Sequence, residues 1–295
     1  MPEDGSQSSG HVLVVGQLLV DVVVALRGPI APGAQVLCDI NLVPGGAAAN
    51  VARCLAGLGR PVRLVCQVGD DVPGKRLEEQ VASTHVDMSA IVRGRTGVCI
   101  VLVDANGERS FLTDLGDSIA IRPTDIPGEV MVGASAVYIS GYMIFWEPSR
   151  QAALDIAREA RRLGIPVITD LASSSHIRDF GGQRFRELLD QLSPRLVFGN
   201  RLEAESAGTL TPKAKTVLVI TGGREPTMIV REGFPNAYFA VPSRVVLNSR
   251  GGGDAMVAGF LHQWLARRPL PDCVENGHRL AEQVLSRAGV HARRR

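Results

Sequence analysis

The sequence predicts an α/β fold in which helices cover both faces of a mostly parallel sheet. Three observations support this prediction. Short apolar runs typical of buried strands recur along the chain, helical patterns alternate with most of them, and two segments interrupt the alternation with strand patterns of their own. The two interruptions predict a small antiparallel sheet that projects from the α/β body.

The elements of the body follow from apolar periodicity and from glycines at helix ends. Residues 47–58, 74–84 and 149–163 have helical patterns, and Gly59 and Gly164 are the expected stops of the first and third helices. Because helices separate most of the strands, we expect the strands to be parallel. The apolar runs interpreted as strands are residues 12–16, 62–66, 166–170, 196–198 and 217–221.

The two interrupting segments predict a lid. Residues 22–43 carry apolar runs broken by glycine and proline, and residues 97–113 have a strand–turn–strand pattern with Asn106 and Gly107 in the turn. We expect a lid formed by residues of about 17–43 and 97–115. Such a lid would cover a site and exclude water, and a role in homodimer contacts is a compatible alternative.

Composition excludes several classes of protein. The chain has 295 residues, is 45% hydrophobic and carries a formal charge of +2, which allows a sizeable core but offers no basic surface for nucleic acid. No apolar run has the length of a membrane span, and residues 1–10 form a polar tail without the apolar segment of a secretory signal. The five cysteines show neither metal-site nor disulfide spacing. We expect a cytoplasmic protein with a single domain over residues 11–295.

The segment with the most chemical information is Gly251, Gly252, Gly253 and Asp254, which opens an apolar-periodic run. A glycine loop that leads into a helix N-terminus suits an anion, because unpaired N–H groups and the positive end of the helix dipole meet there. Asp254 at its edge is placed to take a proton from an attacking hydroxyl group, as phosphoryl transfer to an alcohol requires. The alternative is a loop with an aspartate cap.

A second glycine pair, Gly45 and Gly46, also leads into a predicted helix. Its glycines would let a small polyol lie against the backbone, and Asn50 offers both a donor and an acceptor. The alternative is a loop before a helix with a solvent-facing asparagine. In open α/β sheets, ligands bind beyond the carboxyl ends of the strands. The polar residues that follow predicted strands are Asp21, Asp170, Asn200 and Thr221.

Taken together, the Gly-Gly-x-x-x-Asn segment at residue 45, the hairpin near residue 105 and the glycine-rich segment ending at Asp254 resemble the PfkB (ribokinase-like) family of sugar and nucleoside kinases. The resemblance covers about residues 11–290. It implies a three-layer α/β/α body with a small β lid and ATP-dependent phosphorylation of a hydroxyl group, with Mg²⁺. It also implies a small sugar or nucleoside as the partner.

The same resemblance implies roles for individual residues. Asp254 matches the catalytic base of the family, and the N–H groups of Gly251, Gly252 and Gly253 match its anion hole, which stabilises charge on the transferring phosphoryl group. The positions that match substrate-binding residues are Asp21, Gly45, Gly46 and Asn50.

On the nucleotide side, Asn200 and Glu203 match the family's Asn-x-x-Glu segment, which organises Mg²⁺, water and phosphates. Mg²⁺ keeps most of its waters, so Glu203 would act through them. Thr221 and Gly223 match positions that contact the nucleotide. A helix cap and a surface acid are the alternative for Asn200 and Glu203.

The segment before the glycines departs from the family pattern. Asn248 replaces an acid that in many members helps to place a monovalent cation, which argues against a bound K⁺. We expect Arg250 to supply positive charge near the nucleotide phosphates instead. These departures also support an alternative function, a sugar- or nucleoside-binding sensor that has lost turnover.

The identity of the acceptor stays open. Residues 200–205 and 253–259 resemble pseudouridine-kinase-like members, whereas residues 103–111 and 138–142 are more similar to bacterial sugar kinases. A nucleotide-dependent oxidoreductase is excluded, because no Gly-x-Gly-x-x-Gly turn follows the first strand.

Overall fold

A computed structural model describes residues 10–104, 108–213, 215–242 and 251–290, and side chains up to residue 286. In chain order the first half contains β1 (His11–Val15), β2 (Leu19–Ala25), β3 (Asp39–Gly45), α1 (Ala47–Gly57), β4 (Val62–Val68), α2 (Val72–Ala82), β5 (Asp87–Val92), β6 (Val98–Val103), β7 (Arg109–Asp114) and β8 (Ala134–Ile139). The second half contains α3 (Ser149–Arg162), β9 (Val167–Asp170), α4 (Ser174–Phe180), α5 (Gly182–Leu192), β10 (Leu196–Asn200), α6 (Arg201–Ala207), β11 (Val217–Gly222), β12 (Glu225–Arg231), β13 (Ala237–Phe239), α7 (Gly252–Leu265) and α8 (Leu270–Val290).

The body is built on a nine-stranded sheet with the order β13-β12-β11-β10-β9-β8-β1-β4-β5. Its strands pair in parallel from β5 to β11, and only β12 and β13 are added in antiparallel fashion at one edge. The predicted mostly parallel sheet is therefore confirmed. Parallel pairing places the carboxyl ends of β1, β8, β9, β10 and β11 at one edge of the sheet, where a ligand site is expected.

Helices cover both faces of this sheet because alternate residues of each strand face opposite sides. On β1, Val12 and Val14 pack into one apolar core, whereas Leu13 and Val15 pack into the other. The first core is closed by α1, α2, α7 and α8, and the second by α3, α4, α5 and α6. This arrangement has three layers, as the sequence predicted. No helix in the described part of the chain is long and apolar enough to cross a membrane.

The lid is a separate four-stranded sheet with the order β3-β2-β6-β7. Its two outer pairs, β2 with β3 and β6 with β7, are antiparallel, and the central pair of β2 with β6 is parallel. The prediction of an antiparallel sheet is therefore right for the two hairpins and wrong for the pair that joins them, because a long connection separates these strands in sequence. Both interrupting segments of the sequence contribute two strands each. Of the predicted turn, residues 105–107 lie outside the described residues, but the pairing of β6 with β7 shows the hairpin.

The base of the lid is tied to the body at α2. Asp71 caps this helix by accepting a hydrogen bond of 2.8 Å from the Gly74 N–H, and Pro73 lies in its first turn. The helix therefore begins at Val72, two residues before the predicted start. The second Asp71 oxygen accepts a 2.9 Å bond from the backbone N–H of Thr96, two residues before β6. This contact joins the start of the lid hairpin to the body.

Candidate active site

A cavity of about 780 Å³ lies between the carboxyl ends of the body strands and the inner face of the lid. Residues from both glycine segments, from the strand ends and from the lid line it. The predicted site residues among them are Asp21, Gly46, Asn50, Asn200, Glu203, Thr221, Gly251, Gly253 and Asp254. Segments far apart in sequence therefore contribute to one site, as the strand-end rule predicted.

The glycine-rich segment forms the N-terminus of α7. Gly251 precedes the helix with φ of 71°, a left-handed conformation that favours glycine, and its carbonyl accepts a 2.8 Å bond from Ala255 N–H. The first N–H groups of a helix have no partner within it, so this end of the cavity favours negative charge. Apart from the chain neighbours and the backbone of α7 itself, a Cβ atom added at Gly253 would meet no atom of the described residues within 4 Å, whereas one at Gly252 would contact Leu285 at 3.2 Å. Gly253 thus borders the cavity, and Gly252 packs against α8.

Asp254 is connected directly to the second glycine segment. The side-chain amide of Asn50 donates a 2.9 Å hydrogen bond to Asp254 Oδ2, although the two residues are 204 positions apart in sequence. Both lie in the early turns of helices, because α1 begins at Ala47 and α7 at Gly252. The bond fixes the orientation of the carboxylate at the meeting point of the two helix N-termini.

Asp21 lies on the inner face of β2 and is only 6% exposed. The two glycines of the second pair make room beside it. A Cβ atom at Gly45 would lie 2.1 Å from the Asp21 carboxyl group, and Gly46 has φ of 95° with its Cβ position 2.4 Å from the Gln17 carbonyl oxygen. Glycine is therefore required at Gly46, where backbone stands in the way, whereas a side chain at Gly45 would have to displace the Asp21 carboxyl group. Gly45 itself does not line the cavity.

Asn200 and Glu203 form a reciprocal cap at the start of α6. Asn200 Oδ1 accepts from the Glu203 N–H at 2.9 Å, and Glu203 Oε2 accepts from the Asn200 N–H at 2.9 Å. This is the geometry of the capping alternative, yet both residues also line the cavity. Burial, followed by the nearby charges of Asp170 and Asp254, raises the pKa of Glu203 to about 7. The hydrogen bonds between Glu203 and Asn200 act in the opposite direction and lower this pKa.

Asp170 and Tyr138 form a buried pair that sequence reasoning recognised only in part. Asp170 is expected as a strand-end residue, whereas Tyr138 appears in the sequence only as the first residue of a segment similar to sugar kinases, with no role assigned to it. The hydroxyl group of Tyr138, which is fully buried on β8, donates to Asp170 Oδ2, and the Gly141 N–H donates to Oδ1 at 3.3 Å. Burial raises the pKa of Asp170 to about 6, and these two bonds oppose the rise.

A pH-dependent stability follows for Asp170→Asn. The pKa of the Asp170 carboxyl group is 3.8 in the unfolded chain and about 6 in the folded protein, so the folded protein binds the carboxyl proton more tightly between these pH values. As pH rises through this range, ionisation of Asp170 destabilises the fold. The free energy of unfolding of the variant, relative to that of the ligand-free wild type, should rise by up to about 3 kcal/mol from pH 4 to pH 7. Denaturant unfolding at a series of pH values measures this difference. A difference that stays constant or falls with pH would contradict the assignment.

The remaining predicted positions are not part of the described cavity wall. Gly223 is exposed in the turn between β11 and β12, with φ of 68°, and does not line the cavity. Asn248 and Arg250 fall in residues 243–250, outside the described part of the chain. The sequence assigned no role to several further lining residues, which are Gln17, Phe111, Tyr142, Ser173, Ser174, Ser175 and His176. Of these, Phe111 and Tyr142 end the two segments that are similar to sugar kinases.

The described wall of the cavity is acidic. It contains the carboxylates of Asp21, Asp170, Glu203 and Asp254, and within the described ranges no lysine or arginine lines it. The described residues also include no group of three or more acidic, histidine or cysteine side chains placed to hold a metal by themselves. Charge on a phosphorylated ligand must therefore be balanced by the α7 N-terminus, by a cation that brings water or phosphate ligands, or by residues beyond the described ranges.

Comparisons with known proteins identify the family of this chain. A sequence model of the pfkB family carbohydrate kinases matches residues 9–293. The ATP-dependent ribose-1-phosphate kinase of Halopiger xanaduensis is 28% identical over 97% of this chain and 93% of that protein. The adenosine kinase of Dictyostelium discoideum is 26% identical over 85% of this chain and 81% of that protein.

A solved structure shares the fold. The probable sugar kinase from Rhizobium etli CFN 42 superposes with a TM-score of 0.83 at 25% identity, covering 94% of this chain and 93% of that one. The large parallel sheet with a small separate sheet is accordingly a ribokinase-like α/β fold. Since the family match extends over nearly the whole sequence, the chain belongs to the pfkB family of carbohydrate kinases and is a sugar or nucleoside kinase.

Proposed function

We propose that this protein transfers the γ-phosphoryl group of ATP to a hydroxyl group of a small sugar or nucleoside, with Asp254 as the general base. The observation that carries this proposal is the 2.9 Å bond between Asn50 and Asp254. The bond orients a carboxylate that lies at the N-terminus of α7, in the same cavity as Asp21 and the inner face of the lid. A base, an anion-binding helix end and a covered acceptor site are the parts that this reaction needs.

In the proposed reaction Asp254 accepts the proton of the acceptor hydroxyl group while that oxygen attacks the γ-phosphorus in line. The bond from the γ-phosphorus to the bridging oxygen breaks, and ADP leaves with the electron pair. The N–H groups of Gly251, Gly252 and Gly253 at the start of α7 stabilise the negative charge on the transferring group. Asn50 holds the base in orientation, and Asp21 binds hydroxyl groups of the acceptor.

The residues present fit a hydrated Mg²⁺ and not a metal held by protein ligands alone. The acidic wall, in which Asp170 and Asp254 raise the pKa of Glu203, favours a cation. The described residues nevertheless offer no group of three close ligands, so Glu203 and Asn200 would hold the ion through its waters. When bound, Mg²⁺ would neutralise charge on the phosphates.

Nucleotide contacts are proposed at Asn200 and Thr221, which line the cavity beside α7. Thr221 lies near the end of β11 and pairs with Asn200, the last residue of β10. Gly223 follows in an exposed turn and would contact the nucleotide only through a part that extends beyond the cavity. Arg250 stays a prediction, as the cation that replaces a bound K⁺.

Formation of ADP from ATP and Mg²⁺, measured across a panel of pentoses, hexoses and nucleosides, tests the proposal. Acceptor-dependent ADP formation that is lost on removal of Mg²⁺ with a chelator is expected. Binding of an acceptor without any turnover would contradict the kinase proposal and favour the sensor.

A cytoplasmic location is part of the proposal. ATP is the expected donor, and all five cysteines are free thiols, as a reducing compartment favours.

We also propose that the lid mediates a homodimer. One apolar row, formed by Leu42, Val22, Ile100 and Leu112, runs across all four strands of the lid. Val22 packs against the body core, whereas the other three side chains are exposed. Leu42 is 61% and Leu112 58% exposed, which is unusual for large apolar side chains on one sheet face. Light scattering after size exclusion should give twice the chain mass, and Leu42→Glu should shift it to the monomer. A monomeric wild type at micromolar concentration would contradict this proposal.

A further inference from the structure

We propose that Thr96, held by Asp71, is a positioning residue that sets the lid hairpin, β6 with β7, over the acceptor side of the cavity. This inference rests on the proposed kinase function, for which it names a residue that acts from outside the cavity wall. It comes from a buried group of hydrogen bonds at the point where the chain passes from the body into β6.

The Thr96 residue is buried, and both its side chain and its backbone are bonded to the body. It is 2% exposed and lies in the connection from β5 to β6. Its hydroxyl group donates to Asp71 Oδ1 and accepts a 3.0 Å bond from the Gly69 N–H. Its own N–H donates to Asp71 Oδ2 at 2.9 Å. These hydrogen bonds fasten the start of β6 to the loop between β4 and α2.

Asp71 is itself fixed by the body. Its Oδ1 atom also accepts the 2.8 Å bond from the Gly74 N–H that caps α2. Burial tends to raise the pKa of this carboxyl group, but the hydrogen bonds from Thr96 and Gly74 outweigh burial and hold the pKa below its usual value. The carboxylate is therefore ionised at neutral pH, and hydrogen bonds to a charged group are stronger than those between neutral groups.

The backbone around this contact is packed too closely for further side chains. A Cβ atom at Gly69 would lie 2.4 Å from the Thr96 nitrogen, and one at Gly74 would lie 2.2 Å from the Gly69 carbonyl oxygen. On the lid side, Gly116 has φ of 51°, and its Cβ position is 2.5 Å from the Arg95 carbonyl oxygen. The body loop, the start of β6 and the end of β7 are thus in contact. A displacement of Thr96 would shift both ends of the lid hairpin.

The lid hairpin supplies cavity-lining residues and supports the strand that carries Asp21. Cys99, three residues after Thr96, lines the cavity and pairs with Asp21 on β2. Phe111 and Thr113 on β7 line the cavity as well. In the proposed function Asp21 binds hydroxyl groups of the acceptor. A loosened contact at Thr96 would therefore weaken acceptor binding, whereas the nucleotide side, on β10 and β11, would keep its geometry.

Thr96→Val tests the inference, with Thr227→Val as the matched control. Valine keeps the shape of threonine and removes the hydroxyl group. Thr227 is 1% exposed, and its hydroxyl group forms a 2.8 Å hydrogen bond with His278 Nε2 between β12 and α8, outside the described cavity wall. The control therefore also loses one buried hydrogen bond, but within the body.

Two measurements are made on each variant. Amide hydrogen exchange of the ligand-free protein, followed on peptides from β6 and β7 and from the core strands β1 and β8, reports on the lid without any substrate. Steady-state ADP formation with adenosine, ribose and fructose gives kcat and the KM values for ATP and for the acceptor. Calorimetry gives the Kd of the same three compounds.

Thr96→Val should speed exchange of the β6 and β7 amides by about 10- to 100-fold, because a hydrogen bond to a charged group is lost and the Gly69 N–H is left without its partner. Exchange of β1 and β8 should not change. The KM of the acceptor that is used best should rise about 10-fold, since binding must first restore the position of the lid. The KM for ATP and kcat at saturating acceptor should change little.

Two further variants separate positioning from general destabilisation. Thr96→Ser restores the hydroxyl group and should recover both the slow exchange and the acceptor KM. Asp71→Asn keeps one accepting oxygen and should produce the same changes to a smaller extent, so it carries the test if the valine variant does not fold. Thr227→Val should leave the lid exchange and the acceptor KM unchanged.

Unchanged exchange of the β6 and β7 peptides in Thr96→Val would overturn the inference while the kinase function stands. Faster exchange with an unchanged acceptor KM would overturn it too, because the contact would then stabilise the lid without positioning it for binding. An equal rise of the acceptor KM in Thr227→Val would have the same consequence. Binding of an acceptor by the wild type without turnover would contradict the kinase function instead, and a Kd that rises in Thr96→Val alone would then still support the positioning role.

Discussion

Asp254→Asn is expected to lower kcat by about 10²- to 10⁴-fold, the range that a general base contributes. Asparagine keeps the size of the side chain but cannot accept the proton of the acceptor hydroxyl group. The KM for ATP should change little, because the glycine N–H groups of α7 are retained. Steady-state ADP formation with a saturating acceptor measures both constants.

A matched control separates base chemistry from the helix dipole. Asp272 occupies the third position of α8, as Asp254 does in α7, but it is exposed and lies outside the cavity wall. Asp272→Asn removes a similar first-turn charge, which is worth about 0.3–1 kcal/mol of stability, and should leave kcat unchanged. Undiminished turnover in Asp254→Asn would show that another group removes the proton.

The second large effect is expected for Gly253→Ala, with a fall in kcat of about 10²- to 10³-fold. Within the described part of the chain, the added methyl group would meet no atom within 4 Å beyond its chain neighbours and the backbone of α7, so the fold should accept it. Gly253 nevertheless lines the cavity beside Asp254, and a methyl group there would displace the phosphoryl group from the helix N-terminus. Thermal unfolding should confirm an intact fold alongside the kinetic loss.

Gly252→Ala is the control for this change. Its methyl group would contact Leu285 at 3.2 Å on the side of α8, away from the described cavity wall. We expect a stability change below about 1 kcal/mol, since the gain in helix propensity opposes the tight contact, and kcat within a few-fold of wild type. An equal fall of kcat in the two variants would contradict the proposal that the phosphoryl group approaches the helix at Gly253.

Much of the fold was predictable because the body strands are buried on both faces. Such strands appear as short apolar runs, and β1, β4, β9, β10 and β11 lie at the predicted places with small differences at their ends. The edge of the sheet was not predicted. β13 has only three residues, and β12 mixes polar with apolar side chains, so neither gives a clear periodic signal.

The site was predictable where local backbone chemistry demands a residue type. Gly251 and Gly46 have φ of 71° and 95°, which favour glycine, so their positions mark the two helix entries in the sequence itself. Asn200 and Glu203 were equally visible at a spacing of three. Their spacing alone did not reveal that they cap each other and line the cavity together.

The sequence by itself determined the class of fold, the two glycine entries and the acid that follows the second of them. Each of these depends on interactions between residues close in the chain, through periodicity, turn geometry and helix capping. Only the tertiary structure decided that Asn50 orients Asp254, that Tyr138 holds Asp170 and that Phe111 stays exposed over the cavity. These contacts join elements far apart in sequence, and they depend on how helices pack and which strands become neighbours. A local sequence pattern therefore does not predict that packing.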